Sequence, residues 1–161
     1  MSGTRESWSP LSVLLGMVVV CCLARPSTVL AQGTQVDLVA VEQRMAEGRF
    51  ETARSVLQEW LETVQPSASW NDRQHGIWLR ALLTVDPQMA ERDLRRLVVE
   101  FPGGSFSDHA LLRLARGAQA RSDGSQALRY LDTLLSYYPL SPLLVEARLL
   151  SDEVAGVGQN P

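Results

Sequence analysis

Few residues in this chain could do chemistry, and their spacing limits what that chemistry could be. There are two histidines, His75 and His109, and two cysteines, Cys21 and Cys22, the latter pair inside an apolar N-terminal stretch. A zinc or nucleophilic site built from histidine and carboxylates needs several groups converging on one point. Asp72 stands three residues before His75, so on a helix the two share a face and can touch. Asp108 adjoins His109. Both are two-group coincidences, and a surface pair or a groove contact is the expected role for each. Gly103-Gly104 does not make a phosphate loop, because the chain has no lysine and a helical pattern, not a strand, precedes the glycines. Ser122 and Ser125 sit in a turn without a base near them in sequence. No catalytic, cofactor or metal site is predicted, and the chain reads as a non-enzyme.

Aromatic anchors are the other candidates. Trp60 and Trp78 lie on apolar helical stripes and are expected in the core, whereas Trp70 opens a helix and is as readily exposed as buried. Arg95-Arg96, Arg113 and Arg116 are expected on solvated faces as salt-bridge partners.

Helices must position all of these. Apolar residues at 3.6-type spacing mark Val36 to Glu47, Phe50 to Val64, Trp70 to Val85, Pro87 to Phe101, Ser107 to Arg121, Ser125 to Tyr138, and a last segment from Ser141-Pro142 to about Val154. Gly48, Pro66, Asp86-Pro87, Pro102-Gly103-Gly104 and Ser122-Asp123-Gly124 punctuate them. Ser105 or Ser107 is the expected cap of the fifth helix. No alternating β pattern is present, and the connections are short enough to make sequential helices antiparallel neighbours.

The start of the chain reads as an export signal. Leu11 to Leu23 is apolar apart from Ser12 and Gly16, close to the length of a signal core and short for a bilayer span. Pro26 follows, and Val29-Leu30-Ala31 offers a cleavage site. Residues 1–31 are therefore expected to be a signal peptide cut after Ala31, 32–154 the folded domain and 155–161 a flexible tail. The expected location is the periplasm or cell envelope, with membrane association only through an uncleaved or lipidated N-terminus. Val20 before Cys21 is a poor lipid-attachment context. Of 15 basic and 18 acidic residues, the leader holds Arg5, Arg25 and Glu6, leaving 13 against 17, a net charge of −4. A basic surface for nucleic acid is thus unsupported.

Two proline-marked stretches 37 residues apart carry one pattern. Ala90, Leu94 and Leu97 lie 12, 8 and 5 residues before Pro102, and Ala127, Leu131 and Leu134 hold the same offsets before Pro139. Ala110 with Leu112, and Ala147 with Leu149, follow at eight and ten residues. A less complete copy lies upstream in Gly48, Phe50, Ala53, Leu57 and Trp60. Paired helices of this length cannot each hide an apolar stripe alone, so neighbours must stack.

In Gly48-Arg49-Phe50-Glu51-Thr52-Ala53, then Ala90, Leu94 and Pro102, then Ala115, Ala127, Leu131 and Pro139, the chain resembles the tetratricopeptide repeat over roughly residues 36 to 152. Phe101-Pro102-Gly103-Gly104-Ser105 and Tyr138-Pro139-Leu140-Ser141-Pro142 resemble its bacterial-envelope branch. That branch includes the repeat lipoprotein of the outer-membrane β-barrel assembly machinery and the periplasmic cell-division coordinator family. The resemblance implies an all-α fold, an antiparallel helix-pair right-handed solenoid of about three repeats plus a capping helix. It also implies a groove lined by the leading helix of each pair, drawing on Leu38, Glu42, Asp72, His75, Leu79, His109, Leu112, Arg116 and Gln119. The expected partner is another envelope protein or a peptide segment, with a glycan-binding accessory as the alternative.

Overall fold

The structure is a computed structural model that describes residues 37–157. The predicted leader, its cleavage site, the cysteine pair, the start of the first predicted helix and residues 158–161 lie outside the described residues. The fold is all-α: seven α-helices and one 3-10 turn, with no strand among the described residues. In chain order they are α1 (Leu38–Ala46), α2 (Phe50–Thr63), α3 (Trp70–Leu83), α4 (Pro87–Glu100), α5 (Ser107–Ala120), α6 (Gly124–Tyr137) and α7 (Leu144–Val157), with the 3-10 turn Gln65–Ser67 between α2 and α3.

Local chemistry sets the helix ends. Asp37, Ser69, Asp86 and Asp123 each accept a backbone N–H of the first turn they cap, satisfying donors that have no partner inside the helix. Pro87 opens α4, where its missing N–H costs nothing. At the end of α1, Gly48 adopts φ +73° and Arg49 N–H donates to Arg44 O at 2.8 Å, a glycine-terminated Schellman closure. The end of α5 closes the same way, with Asp123 N–H donating to Ala118 O at 2.9 Å, but the left-handed residue is Ser122 at φ +61°. Gly124 was expected inside that turn and instead begins α6. The expected serine cap of α5 is also absent: Ser107 lies inside the first turn, and its buried hydroxyl donates to Phe101 O at 2.6 Å, tying α5 to the end of α4. Helix α7 runs on to Val157, through residues expected in the tail.

Each helix packs against the next, and α1 also meets α3. The core falls into three successive clusters. The first joins α1, α2 and α3 through Leu38, Val41, Ala53, Leu57, Trp60 and Leu79. The second joins α3, α4 and α5 through Ile77, Ala81, Leu94, Leu97, Phe101 and Leu114. The third joins α5, α6 and α7 through Leu111, Ala118, Ala127, Leu131, Leu134 and Val154. Leu57, Leu94 and Leu131 thus do one job three times at intervals of 37 residues, each burial being worth roughly 1.5–3 kcal/mol. Trp60 stands where the other two clusters have Leu97 and Leu134. The extra size of its ring is accommodated by Gly76, whose missing Cβ would lie 2.3 Å from the indole.

Of the residues expected to pack the repeats, Ala53, Leu57, Leu94, Ala115, Ala127 and Leu131 are buried. Gly48, Pro102 and Pro139 occupy exposed turns, and Ala90 is only half-buried. Phe50 corrects the expectation, being 51% exposed and outside all three clusters, because it is the first residue of α2 and projects at the edge of the α1–α2 turn.

Candidate functional site

The leading helices α1, α3, α5 and α7 are joined side by side by a row of polar and aromatic side chains. At one end, Glu42 on α1 pairs with His75 on α3, Oε1 to Nε2 at 3.0 Å. The His75 ring stacks on Phe106, with centroids 5.1 Å apart and planes 18° apart. Phe106 stacks in turn on Trp78 at 5.8 Å and 17°. Trp78 meets His109 edge-on at 5.8 Å, and the Arg113 guanidinium lies 5.9 Å from the indole centroid, within cation–π range. Beyond this cluster, Arg116 pairs with Glu146, and Gln119 Nε2 donates to Glu153 Oε1 at 2.9 Å, carrying the row from α5 to α7.

Helical geometry explains the alignment. Residues three or four apart share a face, so His75 and Trp78 on α3, and His109, Arg113 and Arg116 on α5, present together. Phe106 precedes α5 by one residue and stacks its ring against both His75 and Trp78 of α3. Both histidines of the chain therefore sit in one aromatic cluster.

Asp108 anchors the second histidine. Its Oδ1 accepts from His109 Nδ1 at 2.8 Å, and its Oδ2 accepts from the Ser141 hydroxyl at 2.6 Å. Burial pushes this carboxyl up, but the Ser141 hydroxyl and the His109 ring and amide outweigh it and hold Asp108 below the ordinary carboxylate range. Serine, aspartate and histidine are all present, yet the hydroxyl donates to the aspartate and its oxygen accepts from Leu143 N–H. It is not poised against the imidazole, which is the contact that activates a serine nucleophile. Among the described residues no three histidine, cysteine, aspartate or glutamate groups gather as a metal-binding set.

Five of the nine residues expected in the groove lie on this face: Glu42, His75, His109, Arg116 and Gln119. Leu38, Leu79 and Leu112 do not, being only 4%, 2% and 4% exposed, because their side of each helix faces the clusters beneath. Asp72 is also displaced. Its carboxylate accepts from the Ser69 hydroxyl at 2.7 Å and its N–H donates back to the same oxygen, a reciprocal cap at the start of α3 that leaves His75 to Glu42. Trp60 is buried as expected, and Trp78 is half-buried, packing against the first and second core clusters while part of its ring meets the face. Trp70 is 49% exposed, one side resting on Phe101 at 5.2 Å.

Phe106, Arg113, Glu146 and Glu153 were not foreseen as site residues. Glu153 carried a readable signal, since it lies 34 residues after Gln119, close to the repeat interval. Phe106 lies outside any helical stripe and carried none.

Two concavities lie on the far side of Arg113: a broad one of about 1150 Å³ spans the start of α4, the end of α5 and the turn into α6, and a smaller one of about 270 Å³, which Arg113 helps to line, adjoins it. Among the described residues, no helix is long and apolar enough to cross a membrane. Compared with protein-family models, curated proteins and solved structures, the chain finds no match in any of the three.

Proposed function

We propose that this chain is a non-enzymatic, exported helical-repeat scaffold that docks another envelope protein through the face of its leading helices during outer-membrane or wall assembly. In this reading the seven helices form a right-handed solenoid of tetratricopeptide-like pairs, α7 caps it, and the leader directs it to the periplasm. The observation that carries the reading is the side-chain row crossing α1, α3, α5 and α7. Such a row holds four helices in register and offers aromatic, cationic and anionic groups to one extended partner. Trp78 and Arg113 are the residue types that dominate interface energies. An extended peptide or a partner helix suits this mixed surface.

A tagged chain used to retrieve partners from envelope extracts tests the proposal. Specific recovery of a protein, lost on Trp78→Ala with Arg113→Ala, is the expected outcome. Retention of a small metabolite with no protein would remove the reading. The exposed ring of Trp70 favours a second reading, a glycan-binding accessory. Sedimentation with purified sacculi separates the two, since only the accessory pellets with them.

A further inference from the structure

One position of the repeat is filled differently in successive leading helices. Val154 on α7 is 6% exposed and packs into the third cluster, with its Cγ1 3.3 Å from where a Cβ on Gly124 would stand. The residue 37 positions earlier, on α5, is Gly117. A Cβ there would meet only the Arg121 guanidinium, at an ordinary 3.6 Å. The space that Val154 fills beneath α6 is therefore open beneath α4.

That space is the smaller concavity, about 270 Å³, lined on its apolar side by Ala81, Leu82, Ala90, Leu94 and Leu114. It accounts for a difference between otherwise equivalent alanines: Ala127 is fully buried, while Ala90 is not. The recess shares Pro87, Glu91, Gly117 and Arg121 with the broad concavity, so it opens into a polar mouth. In that mouth the acidic side chains already have partners. Asp86 and Asp123 accept helix N–H groups, and Glu91 is gripped by Arg95 and Arg121 at 2.5 and 3.0 Å. One guanidinium at its walls meets no carboxylate among the described residues: Arg92, which rests on the Met89 sulfur at 2.6 Å.

We infer that this recess, which shares Arg113 with the leading-helix face but opens on the other side of it toward α4, is a second binding site, for an acidic peptide segment of a partner protein. One apolar side chain fills the space beside Gly117 while a neighbouring carboxylate pairs with Arg92. The size of the recess favours a peptide. At 270 Å³ the apolar part is smaller than the roughly 300–1,000 Å³ of small-molecule pockets and has room for a single aliphatic or aromatic side chain. The net charge of −3 gives no long-range pull on an acidic partner, so recognition rests on the local Arg92 guanidinium.

The test is two-dimensional NMR of the ¹⁵N-labelled full chain, titrated with short synthetic peptides carrying one leucine or phenylalanine flanked by glutamates. Shifts are expected at Ala90, Arg92 and Gly117 and to be absent when lysines replace the glutamates. Arg92→Gln should weaken binding about fivefold to tenfold. Gly117→Val, which installs the side chain that α7 already carries at this place, should abolish binding while the melting temperature holds or rises. Gly117→Ala serves as the variant that leaves most of the recess open and keeps binding. The inference is overturned if millimolar acidic peptide leaves those resonances unmoved, if Gly117→Val binds as the natural chain does, or if dodecanoate shifts them and the peptides do not.

Discussion

Replacing Gly76 by alanine tests how α2 and α3 meet. The new Cβ would stand 2.3, 2.9 and 3.1 Å from three carbons of the Trp60 six-membered ring. That ring is 3% exposed and enclosed by the first core cluster, so it cannot swing aside as the end of a flexible chain could. Overpacking of this kind costs roughly 1–3 kcal/mol. Against it stands the gain from replacing glycine inside a helix, about 0.5–1 kcal/mol. The overlap is severe enough for the clash to win, leaving a net loss of about 1–2 kcal/mol. For a body of this size that lowers the melting temperature by roughly 3–8 °C. Trp60→Leu supplies the control, since leucine is what stands at Leu97 and Leu134. It loses packing of its own, on the order of 2 kcal/mol, but makes room for the added methyl. In the Trp60→Leu background Gly76→Ala should therefore be neutral or stabilising, a coupling of about 2 kcal/mol. Urea denaturation of the four proteins measures it. Equal costs of Gly76→Ala in both backgrounds, or a more stable single variant, would refute the packing argument.

Further expectations follow from the same geometry. Ala127→Leu forces a larger side chain into a site with no exposure and should cost roughly 1–3 kcal/mol, read as a lower denaturation midpoint. Ser122→Gly relieves a left-handed residue and should add up to about 1 kcal/mol; a loss would mean that the hydroxyl matters more than the backbone. Asp108 has a folded pKa below its unfolded one, so the stability it contributes is complete above the ordinary carboxylate range near 4 and is lost as pH falls through the lower folded value. Asp108→Asn should accordingly be less stable than the natural chain at neutral pH, with the gap closing in acid; a gap independent of pH would contradict this. Removing residues from Pro142 onward strips α7 from Ala127, Leu131 and Leu134 and should give aggregation, visible by light scattering.

Much of the fold was legible because its punctuation is local. Asp86-Pro87, Gly48 and the aromatic-proline pairs each act within one turn, and the 37-residue spacing of Leu94 and Leu131 follows from the chain alone. Turn detail was less readable: a Ser-Asp-Gly run suggests glycine as the left-handed residue, yet the hydrogen bonds to Ala118 and Gln119 place Ser122 there. Equivalence within the repeat also fails at its end. Leu112 is buried in the third cluster, while Leu149 is 66% exposed, with no described helix after α7 to cover it. Of the candidate face, the residue types were readable but the partners were not. His75 had a plausible acid three residues away in Asp72, and the carboxylate it meets comes from another helix, 33 residues distant. Leu38, Leu79 and Leu112 were placed one helical face away from their true positions, because a leading helix in such a stack is buried on more than one side.

Site-directed photocrosslinking addresses the leading-helix interface most directly. A photoreactive residue placed at His75, at Arg113 or at Arg116 should yield a discrete adduct with another envelope protein when irradiated in cells. The same residue at Gln58 or Glu62, both on α2, should yield none. Adducts from α2 with the leading helices silent would contradict the assignment of that face as the docking surface.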